Sequence, residues 1–428
     1  MQKYKFLIIV FFIAVLSRSL ASLFDFNVQI LYRVPFINIR WMDLVILFIL
    51  FSYLYNVHSA KEILPNNRTI IQMCLIFLFF ETFQLLRSWQ VIDMESQISK
   101  FLCILSTFIV LDLSTYQINK QDIILFIRYA AISGAIVLLV SNSIIFYSFI
   151  TGHVIFLDSG IRVGLSAEGV KEVISTDGLE AFVYAFGLYF IQRESRLWGK
   201  ILFIGAEMSI FLSLVFSYSR GVLFTIVAIT LIYITLFSKN VTKAFITLSA
   251  VVLMIGIFYI AFGNVLKRKG YDPVTKITQI AEFAFDRDNP DWDKGRSLSR
   301  KYALDAWEKN PWLGVGYDDL SNYGLPEGWA TAHNFVITSL FHRGILGTFF
   351  YLVIIFSLYA NSVKYLIRTR KIHSYQTDII KLLIIVTAFW LVGFWTQEVI
   401  WEKYSLSLQL LFLGLISNYY KQRVDSIE

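Results

Sequence analysis

The chain has 428 residues, of which 57% are hydrophobic and only 16% charged, with 39 Phe. A soluble fold of this length cannot hide so much apolar surface, so lipid must be part of its solvent. The formal charge of +7 raises nucleic acid as a partner, but no nucleic-acid module is visible and the placement of the basic residues argues for another origin.

Apolar runs of about 18–22 residues recur, long enough to cross roughly 30 Å of hydrocarbon as helices. The predicted spans are about 6–24, 42–57, 69–87, 101–115, 122–149, 178–192, 199–217, 221–238, 243–262, 335–361, 379–397 and 403–420. That makes about twelve, an all-α polytopic membrane protein. The first span contains Arg18 and is followed by no convincing small-residue cleavage site, so it reads as retained. Cys74 and Cys103 fall inside spans and read as small apolar residues, not as a disulfide or metal pair. No internal repeat and no low-complexity tract is apparent.

With the N-terminus in the cytoplasm, alternate loops become the basic ones. They carry Lys120, then Arg193, Arg196 and Lys200, then Lys239 and Lys243, then Lys364, Arg368, Arg370 and Lys371. Lys421 and Arg423 close the chain on the same side. This positive-inside bias places both termini in the cytoplasm and accounts for the surplus charge. The expected organisation is nine spans over 1–262, including an outer loop at 150–177, then a large outer loop at 263–334, then three spans over 335–428.

Residues 263–332 hold ten Lys/Arg and eleven Asp/Glu, together with Pro273, Pro290, Pro311 and Pro326. A connection this long is functional or disordered, and its Trp and Gly content argues for order. His153, His333 and His342 fall on the outer side, His58 and His373 on the inner. The polar chemistry converges outside.

In "SYSRG" (217–221), Arg220 opens a span after Ser217 and Ser219. A helix N-terminus presents free N–H groups and suits an anion such as phosphate. The alternative is an arginine that snorkels to mark a helix end. In "GRSLSRKYALDAWEKNPWLGVGYDDL" (295–320), Leu298, Tyr302, Ala306 and Trp307 fall at helical spacing, and Asn310 before Pro311 is a stop. A short amphipathic helix followed by the turn "PWLGVG" is predicted. Arg296 and Arg300 lie one turn apart and either clamp an anion or belong to a solvated face with Lys301 and Asp305.

In "ATAHNFVITSLFHRGILGTFF" (330–350), His333 and Asn334 stand at the outer end of an apolar helix. His exchanges protons near neutral pH, and at a helix start it also serves as a cap or interface residue. "HRGILG" (342–347) reads as a break or kink, with Arg343 snorkelling or joining the charge cluster. "GIRVGL" (160–165) offers Arg162. The acids of "DRDNPDWD" (286–293) fail the calcium-loop pattern, because Pro290 interrupts it and the terminal Glu is missing. They read as a solvated run.

In order, "SYSRG" at a span start, "GR…PWLGVG", "AHN" and "RGILG" resemble the O-antigen ligase / O-antigen polymerase family, over roughly residues 200–360. The resemblance implies a membrane glycosyltransferase of surface-polysaccharide assembly in the cell envelope, with a C-type glycosyltransferase-like fold. It implies an undecaprenyl-diphosphate-linked glycan donor, a glycan or lipid A core acceptor as in lipopolysaccharide, membrane lipid around both, and no metal or other cofactor. By position, Arg220 matches the arginine after the Ser-rich approach, Arg296 the loop arginine and His333 the histidine of the H-N pair. These residues would bind the diphosphate (Arg220, Arg296) and accept a proton (His333). Arg162, Arg300, Ser219 and Asn334 are further substrate-binding candidates. A polymerase joins one lipid-linked repeat to another, whereas a ligase moves a finished chain to an anchor, and the acceptor is not written in the sequence. A transporter of lipid or small molecules is the alternative from another class. Such proteins place ionisable residues near the midplane, where Arg128 is the main charge expected.

Overall fold

The computed structural model describes residues 30–34, 37–40, 68–88, 119–151, 179–217, 220–237, 294–318, 320–324, 334–396 and 405–424, with isolated helical positions between 249 and 260. Apart from a two-stranded antiparallel ribbon, β1 (Ile30–Val34) and β2 (Ile37–Arg40), the described chain is helical. The ribbon is the one departure from the all-α expectation. The helices are α1 (Arg68–Arg87), α2 (Lys120–Thr151), α3 (Leu179–Arg193), α4 (Leu197–Ser217), α5 (Arg220–Phe237), α6 (Lys294–Glu308), α7 (Phe335–Thr369), α8 (Tyr375–Thr396) and α9 (Ser405–Val424).

Two of the described helices, α2 over Lys120–Val140 and α7, are long and apolar enough to cross a membrane by length and composition. The predicted spans at 6–24, 42–57 and 101–115 lie outside the described residues, as does most of 243–262. Helix α1 shows what solvent these helices meet. Leu75, Phe79 and Leu86 are exposed, Phe79 to 78%, while Glu81, Gln84 and Ser88 are buried. A helix in water shows the reverse pattern. Apolar side chains turned outward and polar ones turned inward are what a lipid environment selects.

The helices form two compact units. One contains α3, α4, α5 and most of α2. Phe182, Phe186 and Phe190 line the buried face of α3, and Phe190 stacks on Phe203 of α4 at 5.1 Å between ring centroids. Tyr184 meets Thr230 of α5 through a 2.7 Å hydrogen bond between hydroxyls. Asn142 of α2 donates to the Ser209 carbonyl at 3.2 Å. At the α3–α4 turn, Glu194 pairs with Arg128 at 2.7 Å and accepts from the backbone N–H groups of Ser195 and Arg196. Arg128 thus lies within reach of a turn between helices and is not the mid-helix charge that the sequence suggests. That place belongs to Glu207, at the middle of α4, buried and with neither carboxylate oxygen hydrogen-bonded among the described residues. The Glu207 carboxylate fills the space left by Gly187 of α3.

The other unit contains α1, α6, α7, α8 and α9. Helix α7 packs against α1, α6, α8 and α9. The centre of its lower half is held by polar contacts. Tyr359 donates to the Thr387 carbonyl of α8 and receives a 2.9 Å hydrogen bond from Gln409 of α9. Asn361 donates to Ser417 of α9 at 3.1 Å.

Candidate active site

Helix α6 forms where the apolar spacing predicts it and stops where predicted. Asn310 N–H bonds to the Trp307 carbonyl at 2.8 Å, and the Trp307 indole donates to the Pro311 carbonyl at 3.0 Å. Of the residues that the spacing marks, Ala306 is buried and Tyr302 packs against the same cluster, but Leu298 is not on that face. Ser299, Ala303 and Ala306 are buried, whereas Leu298 is 41% exposed. Small residues let α6 approach Leu320 and Phe341, with Tyr302, Val315, Tyr323 and Ile337 around them. Leu298 can stay outside because the apolar surface it offers is not needed for so close a packing.

Beyond α6 the "PWLGVG" turn docks into the break of α7. The backbone at Gly344 leaves the helical region, with φ 64° and ψ −165°, so the helix ladder is interrupted and orphan carbonyls and N–H groups appear on both sides. The turn supplies the partners. Val315 N–H donates to Phe341 O at 2.7 Å and Gly316 N–H to His342 O at 3.0 Å. Ile345 N–H donates to Pro311 O at 2.9 Å and Leu346 N–H to Trp312 O at 3.2 Å. The two motifs singled out in the sequence therefore complete each other's backbone. His342 adds a contact of 2.7 Å between Nδ1 and the Gly316 carbonyl.

Helix α1 grips this joint from the other side. Arg343 donates through Nε to Glu81, and the Tyr317 hydroxyl donates to the other Glu81 oxygen. Both charged side chains are buried, Arg343 to 5% exposure and Glu81 to 1%. The guanidinium also lies over the Phe77 ring, 5.6 Å from its centroid. Gln84 donates to the Leu313 carbonyl, Arg87 to the Gly314 carbonyl, and Ser88 Oγ accepts from Tyr317 N–H at 2.8 Å. Arg343 is therefore neither snorkelling nor part of a solvent-facing charge cluster. Next to the turn, Asp318 accepts from Tyr323 at 2.9 Å and from Asn322 at 2.6 Å. Burial, reinforced by that carboxylate, pushes the Tyr323 phenol up to about 12, so it stays neutral at ordinary pH.

The first segment of α7, ahead of the Gly344 break, begins at Asn334. Its backbone is extended, φ −151° and ψ 124°, and its side-chain oxygen accepts from Ile337 N–H at 3.1 Å. That is an N-cap, which satisfies one of the free donors of the first turn. His333, the residue before the cap, lies outside the described residues, as do Ser219, Arg162 and the acidic run at 286–293. Arg220 is the first residue of α5 and Arg296 sits in the first turn of α6; the side chains of both lie outside the described set. Arg300 is partly buried one turn after Arg296 on α6. Glu81, Gln84 and Tyr317 were missed by sequence reasoning. The signal was present as Glu81 and Gln84 inside a predicted span with Ser88 just past its end, a polar stripe at helical spacing.

Residues 205–352 match the family model described as O-antigen ligase. No curated protein matches the chain. The matched segment starts within α4 and ends within α7, so it contains positions 219, 220, 296, 300, 333 and 334, the 311–316 turn and the Gly344 break. Arg162 and Glu81 fall outside it. Over that segment the chain is similar to the O-antigen ligase family.

Proposed function

We propose that the protein polymerises surface polysaccharide at the outer face of the cytoplasmic membrane, transferring glycan from an undecaprenyl-diphosphate donor to a lipid-linked acceptor without a metal. The observation that carries this reading is the family match over a segment holding Arg220, Arg296 and the His333-Asn334 pair in order. In the proposed step, an acceptor sugar hydroxyl attacks the anomeric carbon. The new C–O bond forms as the bond from that carbon to the diphosphate oxygen breaks, and the electron pair leaves with undecaprenyl pyrophosphate. His333 takes the hydroxyl proton. Arg220 and Arg296 stabilise the charge that accumulates on the departing diphosphate, work suited to planar, permanently charged guanidinium groups. Attack from the face opposite an α-linked diphosphate inverts the anomeric centre. Arg300, Ser219 and Asn334 are assigned to substrate binding, and Arg162 to the same role from the preceding outer loop.

The test uses purified protein, a lipid-diphosphate oligosaccharide and detection of released undecaprenyl pyrophosphate. Arg220→Ala, inserted and folded, is expected to abolish release. Wild-type release from that variant would remove Arg220 from the centre of the mechanism.

A second reading, ligation of finished glycan to lipid A core or another anchor, is favoured by the description of the matched family. Both readings share the donor and the step, and they differ in acceptor. A deletion strain separates them: loss of a polymerase leaves single repeats attached, whereas loss of a ligase leaves finished polymer unattached.

A further inference from the structure

We propose that the buried Glu81–Arg343–Tyr317 cluster is a positioning device for the reacting end of α7, and that Glu81 and Arg343 act on catalysis through the placement of His333. The inference rests on the reading of His333 as the base that accepts the proton.

The first segment of α7, from the Asn334 cap to Arg343, is short and is separated from the long part of the helix by the Gly344 break. Helix continuity therefore does not fix its direction. Contacts from outside the helix must do so. Some bridge the break itself, such as Thr348 Oγ1 donating to Ser339 Oγ at 3.0 Å and Phe335 against Tyr351 at 5.0 Å between centroids. The 311–316 turn holds the carbonyls of Phe341 and His342. Among the described residues, Arg343 ties the segment to α1 by charge, and it does so at the last residue before the break.

The form of the cluster suits placement better than bulk stability. Burying a charged pair gains little over well-packed apolar side chains, because desolvation offsets most of the attraction. What the pair adds is direction. One oxygen of Glu81 receives the α7 guanidinium and the other receives the Tyr317 hydroxyl, so a single carboxylate sets the helix segment and the turn in register. Ser88 and Gln84, further along the same face of α1, hold the same turn at Tyr317 and Leu313. The whole grip lies at the end of α1 that also carries Arg87, whose guanidinium holds the Gly314 carbonyl. His333 is the residue before the Asn334 cap in the chain, so the first segment of α7 is the described element through which the cluster would act on the proposed base.

The test is kinetic, on the purified full chain with a lipid-diphosphate oligosaccharide. The variant Glu81→Leu/Arg343→Met/Tyr317→Phe removes all three polar members together and leaves no buried charge unpaired. It is expected to unfold at a temperature near that of the wild type, to keep the donor KM, and to lose about 100-fold in kcat, the scale of a misplaced reacting group. Glu81→Asp keeps the charges but shortens the carboxylate arm, and should give a kcat between the two with unchanged KM. It decides the matter if the triple variant fails to fold. Wild-type kcat in the folded triple variant, or in Glu81→Asp, would overturn the positioning role. His333→Ala separates the two claims. Full turnover in that variant would overturn the reading of the base, whereas an inactive His333→Ala beside a fully active triple variant would overturn only the positioning role of the cluster.

Discussion

Gly314 and Gly344 meet backbone to backbone, so that a Cβ placed on Gly314 would lie 2.6 Å from the Gly344 nitrogen and one on Gly344 would lie 2.5 Å from the Gly314 nitrogen. Both residues also have positive φ, 65° and 64°. Each therefore needs glycine twice over, for its conformation and for the approach of the other. Gly344→Ala and Gly314→Ala should each destabilise the unit by about 2–5 kcal/mol, combining left-handed strain with overpacking. The pair should not be additive, because one substitution already opens the joint. Thermal unfolding of the detergent-solubilised single and double variants checks this. A double variant that loses the sum of the single losses would mean the two glycines act separately.

The Glu81–Arg343 pair predicts a different pattern. Removing one partner strands the other as a buried charge, so Arg343→Met alone should cost about 3–5 kcal/mol. Glu81→Leu alone should fall in the same range. Removing both together with the Tyr317 hydroxyl should cost much less than either single change. Chemical denaturation of the three proteins reads the difference directly. If the combined variant is the least stable, the cluster holds the fold by its charge and not merely by its geometry.

Local features of this architecture are legible in the sequence, and partners are not. Helical spacing and Asn310-Pro311 give α6 and its end, "HRGILG" gives the break, and the His333-Asn334 pair gives a helix start, where the structure makes Asn334 the cap. Each depends on a few neighbouring residues. The identity of what fills the break is invisible, because Phe341 and Val315 are 26 residues apart in chain order and Arg343 and Glu81 are 262 apart. The buried face of α6 is read only in part for a related reason. Periodicity marks Tyr302 and Ala306 correctly but includes Leu298, whereas close packing on Leu320 and Phe341 takes in the small residues Ser299 and Ala303. Arg128 is misread because a charge two turns inside an apolar run looks central until Glu194 is brought to it by the α3–α4 turn.

Glu194 gives a prediction in pH. The backbone N–H of Arg196 and then the charge of Arg128 hold its carboxyl below the ordinary carboxylate value, against the opposing effect of burial. A depressed folded pKa contributes stability that is present above the unfolded value and lost as pH falls through the folded one. Wild type should therefore exceed Glu194→Gln in thermal stability at neutral pH, and the two should converge as the solution becomes more acid than about pH 4. Unfolding temperatures measured across that range in detergent test the sign. A gap that widens toward acid would show that the carboxylate is not the favoured form in the folded state.

Glu207 separates the enzyme from a transporter. It is the ionisable residue at the middle of α4, set against Gly187 and without a hydrogen-bond partner among the described residues. A buried acid of this kind, where its helix spans a membrane, commonly marks an ion or substrate path. The glycosyl-transfer reading gives Glu207 no chemical step and leaves it a packing role against α3. Glu207→Gln preserves the shape and cannot exchange a proton, so it should retain glycan transfer and stability close to wild type. Gly187→Ala should disturb the same crossing, since its new methyl would occupy the position of the Glu207 carboxylate. Shortening that side chain in Gly187→Ala/Glu207→Ser should then recover stability, a coupling expected only between groups in contact. Release of undecaprenyl pyrophosphate by purified Glu207→Gln is the deciding measurement. Loss of release in a well-folded Glu207→Gln would mean that a proton on this residue belongs to the working cycle, and would overturn the reading of Glu207 as a packing residue.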